Sequence, residues 1–379
     1  MRFSYYKTAY FSLYAAGRLA AAQKLPVSQD LFNKFVRYAA FSAAAYADDC
    51  PTPPNNATIT TRLDNAETNA QGVILRDAAA NEIIVDFRGT SNIQDFAIDM
   101  MQDLVPFEAP GVSGCDGCMT HEGFLKQWNS IANEAISAVQ TELAATPNAA
   151  VTLTGHSLGG SLASLATASF LGSGINVTTY TFGQPRTGNQ AFADYVDSVA
   201  PNGVMFRVTH ANDGVPQTVP RSEGYQHHAT EYWQQDAATA EGTFECQGQE
   251  PEDCNNSVPG IGLGANGIGI NVAHLTYMGM STGNPLDAGA AACGGKPPGL
   301  IGVIGGLLGL RGGDGKSAAS IFQDALAESE GEDADGDGDV ARKQAEGGEG
   351  GSVETSAAGR VEGGLVAVGM VVFGAVVFV

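Results

Sequence analysis

Apolar and polar positions change period several times along this chain, and each change reads as an element. Over Gln29–Ala47 the apolar side recurs at Leu31, Phe35, Tyr38, Ala39, Ser42 and Tyr46, a helical spacing. Gly72–Leu75 and Ile83–Phe87 are β-rich and joined by a turn, which predicts a hairpin. Phe124–Leu143 returns to helical spacing. β-rich runs follow at Val151–Thr154, Thr178–Phe182 and Val204–Thr209, with the helical Ser157–Leu171 between the first two. Strand–helix–strand alternation predicts an α/β fold with a central, mostly parallel sheet flanked by helices. Residues 25–293 read as one folded unit.

Beyond Cys293 the pattern is lost. Gly294–Gly313 is glycine-rich and apolar, and Glu328–Glu354 is acidic and poor in aromatics, so 294–362 is expected to be a disordered tail. The closing run Gly363–Val379 is uncharged and 17 residues long, the lower limit for a membrane span. With the Gly350-Gly351-Ser352 triplet and a spacer before it, this run matches a GPI-attachment signal, whose tail is removed; a retained tail anchor is the alternative. At the other end, residues 1–24 hold the parts of an atypical signal peptide. Arg2 and Lys7 precede the short apolar Ala9–Gly17 and the small Ala20-Ala21-Ala22, with Arg18 interrupting.

Composition narrows the partners. Of 379 residues 44% are apolar, ample for a core, and the net charge of −22 argues against nucleic acid and anionic membrane surfaces. Six cysteines can mean disulfides and secretion, or metal sites. Cys115-x-x-Cys118 lacks a second Cys/His cluster at zinc spacing, so disulfides are expected, and neither metal nor cofactor. Asp333-x-Asp335-x-Asp337-Gly338 copies the opening of a calcium loop, but Gln344 stands where a bidentate Glu is needed, so it reads as acidic linker. Asn56, Asn176 and Asn255 lie in glycosylation sequons, which fits a secreted protein.

The chemistry centres on Gly155-His156-Ser157-Leu158-Gly159, a G-x-S-x-G directly after a predicted strand and directly before a helix. A strained strand-to-helix turn needs small residues two places either side of the serine, and the helix N-terminus favours negative charge nearby. Serine is a weak nucleophile and needs a base held by a carboxylate, in the chain order Ser, Asp or Glu, His. Asp213 follows the strand Val204–Thr209 in Asn212-Asp213-Gly214-Val215-Pro216. His227, His228 and His274 all lie downstream. The first two precede Glu231-Tyr232-Trp233, where a structural role in a hairpin is the plainer reading, and His274 is favoured.

Six motifs, in this order, resemble one family over about 270 residues: Phe87-Arg88-Gly89-Thr90-Ser91, His121-Glu122-Gly123-Phe124, Thr154–Gly160 around the serine, Phe182-Gly183-Gln184-Pro185-Arg186, Asn212–Pro216 and His274-Leu275-Thr276-Tyr277. They are similar to the class 3 fungal lipases, which include feruloyl esterases. The resemblance implies an α/β-hydrolase with Ser157 as nucleophile, His274 as general base then acid, and Asp213 orienting His274. It implies an oxyanion hole from Thr90 and Leu158, where losing one fixed donor costs ~10²–10³ in rate. It also implies the pairs Cys50–Cys293, Cys115–Cys118 and Cys246–Cys254, the first closing a loop worth roughly 5 kcal/mol in the chain-entropy model.

After Thr90, apolar residues fall at Ile93, Phe96, Ala97, Met100, Met101 and Leu104, one face of a helix, opposite Asn92, Gln94, Asp95, Asp99 and Asp103. Periodicity alone reads as a surface helix. The resemblance makes Ile93, Phe96, Ala97 and Met100 a lid over the serine, with Phe96 where the family usually has tryptophan. The expectation is a secreted carboxylic ester hydrolase, a triacylglycerol lipase working at a lipid–water interface, with possible membrane attachment through the C-terminus. Feruloyl esterase and phospholipase A1 are alternatives on the same machinery. A non-catalytic surface binding protein is the alternative of another class.

Overall fold

The computed structural model describes residues 24–47, 49–90, 103–264, 267–283 and 291–294. The residues expected to form a signal peptide, the lid (Ile93, Phe96, Ala97, Met100), the acidic tail with its calcium-loop decoy and the C-terminal apolar run lie outside the described residues.

Among the described residues nine strands form the main sheet: β1 (Leu25–Pro26), β2 (Thr58–Asn65), β3 (Ala70–Asp77), β4 (Glu82–Phe87), β5 (Ala150–His156), β6 (Thr178–Phe182), β7 (Met205–His210), β8 (Glu231–Gln234) and β9 (Thr243–Cys246). Across the sheet they lie in the order β1-β9-β8-β7-β6-β5-β4-β3-β2. β4 to β8 run parallel, and the pairs toward both edges are antiparallel. This is the expected mostly parallel sheet. Four short strands, Leu104–Pro106, Met119–His121, Gly188–Asn189 and Tyr225–Gln226, form a second sheet.

Helices α1 (Gln29–Ala44), α2 (Glu122–Ala145), α3 (Leu158–Gly172) and α4 (Gln190–Val199) supply the layers. β4 shows how the pleat sorts residues. Ile83, Val85 and Phe87 join the core made with Trp128, Ile131 and Val139 of α2 and Leu162, Leu165 and Phe170 of α3. Ile84 joins the opposite core, with Phe35, Tyr38 and Ala39 of α1 and Tyr180, Phe206 and Tyr232 of the sheet. A parallel strand buried on both faces reads as a continuous apolar run, which is why the pattern was legible. α3 is buried from Leu158 to Phe170 because it is sandwiched between the sheet and α2, where the Trp128 indole donates to Ser169 Oγ at 2.9 Å.

The same alternation puts Asp86 on the α1 side, in a small cavity lined by Phe41, Ala44, Leu75 and Arg62. Asp86 is 1% exposed, and neither carboxyl oxygen has a hydrogen-bond partner. Burial alone pushes its pKa well above the usual carboxylate range. Four residues away on the same face, Glu82 is treated differently: it accepts from Arg37 Nη2 and Tyr38 Oη at 2.6 Å each.

Three disulfides join the expected partners: Cys50 with Cys293, Cys115 with Cys118 and Cys246 with Cys254. Two expectations shift. The first helix stops at Ala44 rather than Ala47. Leu104, counted on the helical face after Thr90, belongs instead to the strand Leu104–Pro106, whose backbone pairs with Met119–His121 and overrides the spacing. β2 and α4 were not anticipated: β2 is an edge strand in which Ile59 and Leu63 stand among Thr, Arg, Asp and Asn, and α4 is a short helix that buries only Phe192, Ala193 and Val196.

Candidate active site

The strand registers bring the motifs together. Phe87 of β4 lies opposite Gly155 of β5, His156 opposite Phe182 of β6, and Phe182 opposite Val208 of β7. The segments that follow these strands, with Thr90, Ser157, Gly183 and Asp213, therefore leave from one end of the sheet. That is the carboxyl end, where parallel sheets open to ligands.

Ser157 sits between β5 and α3 with φ 59° and ψ −128°, outside the regions non-glycine residues ordinarily use. The turn is held by Ser157 N–H donating to Phe182 O at 2.8 Å and Gly160 N–H donating to Ser157 O at 2.9 Å. Glycine is required at 159 because a Cβ there would lie 2.1 Å from the Phe87 carbonyl oxygen. The serine is thus not part of the helix, as its spacing suggested, but caps it. Leu158 is the first residue of α3, so its N–H has no carbonyl partner inside the helix. Thr90 Oγ1 is buried and without a hydrogen-bond partner among the described residues.

Of the three downstream histidines, His274 is the one that meets Asp213: its Nδ1 lies 2.9 Å from Oδ2. A carboxylate oxygen only accepts, so Nδ1 carries the hydrogen and, in the neutral ring, Nε2 carries the lone pair. Asp213 is 0% exposed. It also accepts from Val215 N–H at 2.8 Å through Oδ1 and from Tyr277 Oη at 2.5 Å through Oδ2. Gly183, at φ 58°, packs against this pair; a Cβ there would lie 2.9 Å from Asp213 Oδ2 and 3.0 Å from His274 Nδ1.

His227 and His228 serve the scaffold. His227 Nε2 bonds to Pro216 O and His228 Nδ1 to Ala229 O, both at 2.9 Å, while Gln184 Nε2 donates to His228 Nε2 at 3.2 Å. Burial first, then nearby Arg207, holds both imidazoles below their ordinary pKa, His228 at about 4.

Several residues around the site carried no role in the sequence reading. His156 is the variable position of the G-x-S-x-G motif, and its Nε2 donates to the backbone oxygen of His274 at 2.9 Å. Burial first, then His274 nearby, keeps His156 neutral with its pKa well below the usual value. Its Nδ1 must then accept, and Tyr46 Oη donates to it at 2.9 Å. Tyr277 closes the His274-Leu275-Thr276-Tyr277 motif, three residues past the histidine, but nothing local says its hydroxyl turns toward Asp213. Asn255 requires a correction. It was expected as a glycan acceptor, yet it is 2% exposed and its Nδ2 donates to Asp213 O at 3.0 Å. A side-chain amide locked behind Asp213 cannot carry a sugar. Asn56 and Asn176 are exposed.

Known proteins agree with this geometry. The sequence model of the class 3 lipases, Lipase (class 3), matches residues 84–223. Secreted mono- and diacylglycerol lipase 1 of Fusarium solani is 32% identical over 251 residues, covering 63% of this chain and 70% of its own. The chain belongs to the class 3 lipase family. Solved structures of the family match this class 3 lipase closely. A lipase from Rhizopus microsporus var. chinensis superposes with a TM-score of 0.60 at 30% identity, over 69% of this chain and 92% of that one. A triacylglycerol lipase whose catalytic centre is formed by a serine protease triad gives 0.58 at 29% identity, over 69% and 99%. The protein is a serine ester hydrolase with the α/β-hydrolase fold.

Proposed function

We propose that this class 3 lipase hydrolyses long-chain acylglycerols, triacylglycerol included, at a lipid–water interface, using Ser157, His274 and Asp213. The observation that carries the reading is the Asp213–His274 bond at the strand ends beside the strained Ser157 turn. In the proposed cycle His274 Nε2 takes the Ser157 hydroxyl proton as Oγ attacks the ester carbonyl. The oxyanion is met by the backbone N–H groups of Thr90 and Leu158, with the Thr90 hydroxyl as a third donor. Collapse expels the glycerol oxygen, which receives the proton from His274, and leaves an acyl-serine. Water, deprotonated by His274, then releases the fatty acid. Support comes from the family membership and from the buried, unpartnered Thr90 Oγ1.

Ser157→Ala is expected to lower turnover by ~10⁴–10⁶ without loss of folding. The same panel compares emulsified triolein, a dissolved short-chain ester and methyl ferulate. A preference for methyl ferulate would move the assignment to feruloyl esterase. Failure of a serine-directed phosphonate to label the protein would leave a non-catalytic binding protein. Loss of activity in His228→Ala with full activity in His274→Ala would overturn the choice of base.

The lid role of Ile93, Phe96, Ala97 and Met100 belongs to the same proposal, since their apolar spacing follows directly on Thr90. Secretion is supported by three disulfides and by relatives named as secreted. No helix among the described residues is long and apolar enough to cross a membrane. For the chain beyond the folded unit 25–293, we propose that 294–362 is a spacer and that Gly363–Val379 is exchanged for a GPI anchor. Release of activity from cells by a phosphatidylinositol-specific phospholipase supports this; mature protein still ending in Val379 rules it out.

A further inference from the structure

His156 stands where three parts of the site meet. It is the last residue of β5, it is joined through the chain to Ser157, and its ring lies 4.5 Å from the His274 ring. Its Nε2 donates to the His274 backbone oxygen and its Nδ1 accepts from Tyr46 Oη, both at 2.9 Å. Tyr46 comes from just beyond the end of α1, 110 residues away in the chain. The same hydroxyl also reaches the oxyanion loop. A Cβ on Gly89, the residue before Thr90, would lie 2.0 Å from Tyr46 Oη and 2.7 Å from the His156 carbonyl oxygen. The Gly89 backbone hydrogen-bonds to that hydroxyl as well. Gly283, at φ 68°, closes on both side chains: a Cβ there would lie 2.7 Å from His156 Cε1 and 3.3 Å from Tyr46 Oη.

The hydrogens along this chain run one way. Burial raises the Tyr46 pKa, so the phenol keeps its proton. A carbonyl oxygen only accepts, so His156 carries its hydrogen on Nε2 and offers a lone pair at Nδ1. A proton can then be added to His156 only by breaking the Tyr46 bond, because Nδ1 holds the one lone pair free to take it. This matters beside His274. A triad histidine is positive from nucleophilic attack until the leaving group takes its proton, and a second cation 4.5 Å away would oppose that charge. Another hydrogen bond joins the same two segments but stops short of the site: Ser42 Oγ and Thr154 Oγ1, buried and 2.8 Å apart. It holds α1 to β5. The Tyr46–His156 bond, further along both segments, is the one that meets the oxyanion loop and His274.

We propose that Tyr46 and His156 are positioning residues that act as one unit, spacing the oxyanion loop at Gly89–Thr90 from the backbone of His274 and keeping a neutral ring beside the base. Neither touches the ester; both act through Thr90 and His274. The Tyr46 hydroxyl, wedged against Gly89, fixes where the chain enters Thr90, and the His156 bond fixes the backbone from which the His274 imidazole projects. One hydroxyl serves both ends, so a shift at either end is passed to the other. The two donors of the oxyanion hole and the base have to be placed together when the ester carbonyl becomes tetrahedral, so losing the link costs turnover rather than substrate binding. The assignment deepens the hydrolase reading and rests on it in taking His274 as base and Thr90 as oxyanion donor.

Tyr46→Phe in the full-length enzyme keeps the ring and removes the donor. On a dissolved short-chain ester, kcat per phosphonate-titrated active site should fall about fivefold to tenfold with KM unchanged, the loss expected for one hydrogen bond between neutral groups. His156→Gln sets an amide nitrogen where Nε2 was, keeping the bond to His274 O while leaving nothing at Nδ1 for Tyr46. It should lose about as much, and the double variant no more than either alone, since all three lack the same bond. If Tyr46→Phe fails to fold, His156→Gln carries the comparison. Ser42→Ala removes the neighbouring bond between the same segments; it should lower the melting temperature and leave kcat unchanged. The downfield proton resonance of His274 Nδ1–H, which reports the bond to Asp213, should move in Tyr46→Phe and stay in place in Ser42→Ala. Additive losses, an equal loss of kcat in Ser42→Ala, a change confined to KM, or an unchanged kcat in Tyr46→Phe or His156→Gln would overturn the proposal. Failure of the hydrolase reading would show separately, as full activity in His274→Ala or as no phosphonate labelling of the unmodified enzyme.

Discussion

Asp213 and Asp86 are both sealed from water, at 0% and 1% exposure, yet their surroundings are opposite. Around Asp213, Val215 N–H, His274 Nδ1 and Tyr277 Oη all aim at the carboxylate. Around Asp86 no donor comes within hydrogen-bond distance; its cavity is lined mainly by apolar side chains such as Phe41, Ala44 and Leu75, and Arg62, which also borders it, makes no bond to the carboxyl. Burial removes the hydrogen bonds of water from both groups, and what replaces them decides what each can do. A carboxylate held by three donors is fixed in position and can orient a histidine. One with none is driven toward its neutral acid and becomes a pH-dependent weak point in the fold.

The sharpest way to break this contrast is Asp213→Asn. The amide can offer a hydrogen where His274 Nδ1–H needs an acceptor, so the wrong tautomer is favoured and kcat should fall by ~10⁴. Circular dichroism should show the fold intact. Asp86→Asn assayed beside it should keep its rate on a dissolved ester, and equal losses would mean that burial, not the donor set, is what matters.

Gly183→Ala is the next largest. The added methyl has to push Asp213 and His274 apart and strains a backbone at φ 58°. A displacement of this kind costs roughly 10² in kcat. The loss should appear in kcat rather than KM, because no part of the change faces substrate binding.

Tyr277→Phe removes one donor of three and leaves the His274 bond. A hydrogen bond to a charged group contributes about 1.5–3 kcal/mol, so a rate loss on the order of tenfold or somewhat more is expected. An unchanged rate would show that two donors suffice to place Asp213.

The smallest effect is thermodynamic and belongs to Asp86. Its folded pKa is raised, so below the unfolded value, near ~4, both states carry the proton and nothing is lost. As pH rises further the unfolded chain releases its proton while the folded protein keeps it, and stability falls until the folded pKa is passed. Asp86→Asn should therefore raise the melting temperature more at pH 8 than at pH 4, by about 2–4 °C for each ~1 kcal/mol relieved. A gain independent of pH would mean that packing, not ionisation, is responsible.

Much of this was legible beforehand because it is carried by local rules. The apolar runs of β4, β5 and β6 follow from strands buried on both faces, and the Ser157 turn follows from glycines spaced around one serine between a strand and a helix. Asp213 was found because a carboxylate after a strand end stands out. Other features were misread for equally local reasons. Leu104 kept a helical offset but found a strand partner in His121, and Asn255 kept a sequon but turned its amide inward to Asp213 O.

The sequence by itself determined the α/β class and the strand–turn–helix setting of Ser157, and it already pointed to Asp213 and His274 as the partners of that serine. Those rest on period, turn chemistry and chain order, which act over a few residues and leave a mark there. The tertiary structure alone decided that Tyr277 donates to the Asp213 carboxylate beside His274, that Asn255 holds the Asp213 backbone, and that His156 bridges Tyr46 and the backbone of His274. It also decided that Asp86 would have no partner while Glu82, on the same face of the same strand, accepts from Arg37, Tyr38 and Thr152. Each of these joins or separates groups tens to more than a hundred residues apart, and hydrogen bonds of that reach exist only once the sheet has set which strand ends lie side by side.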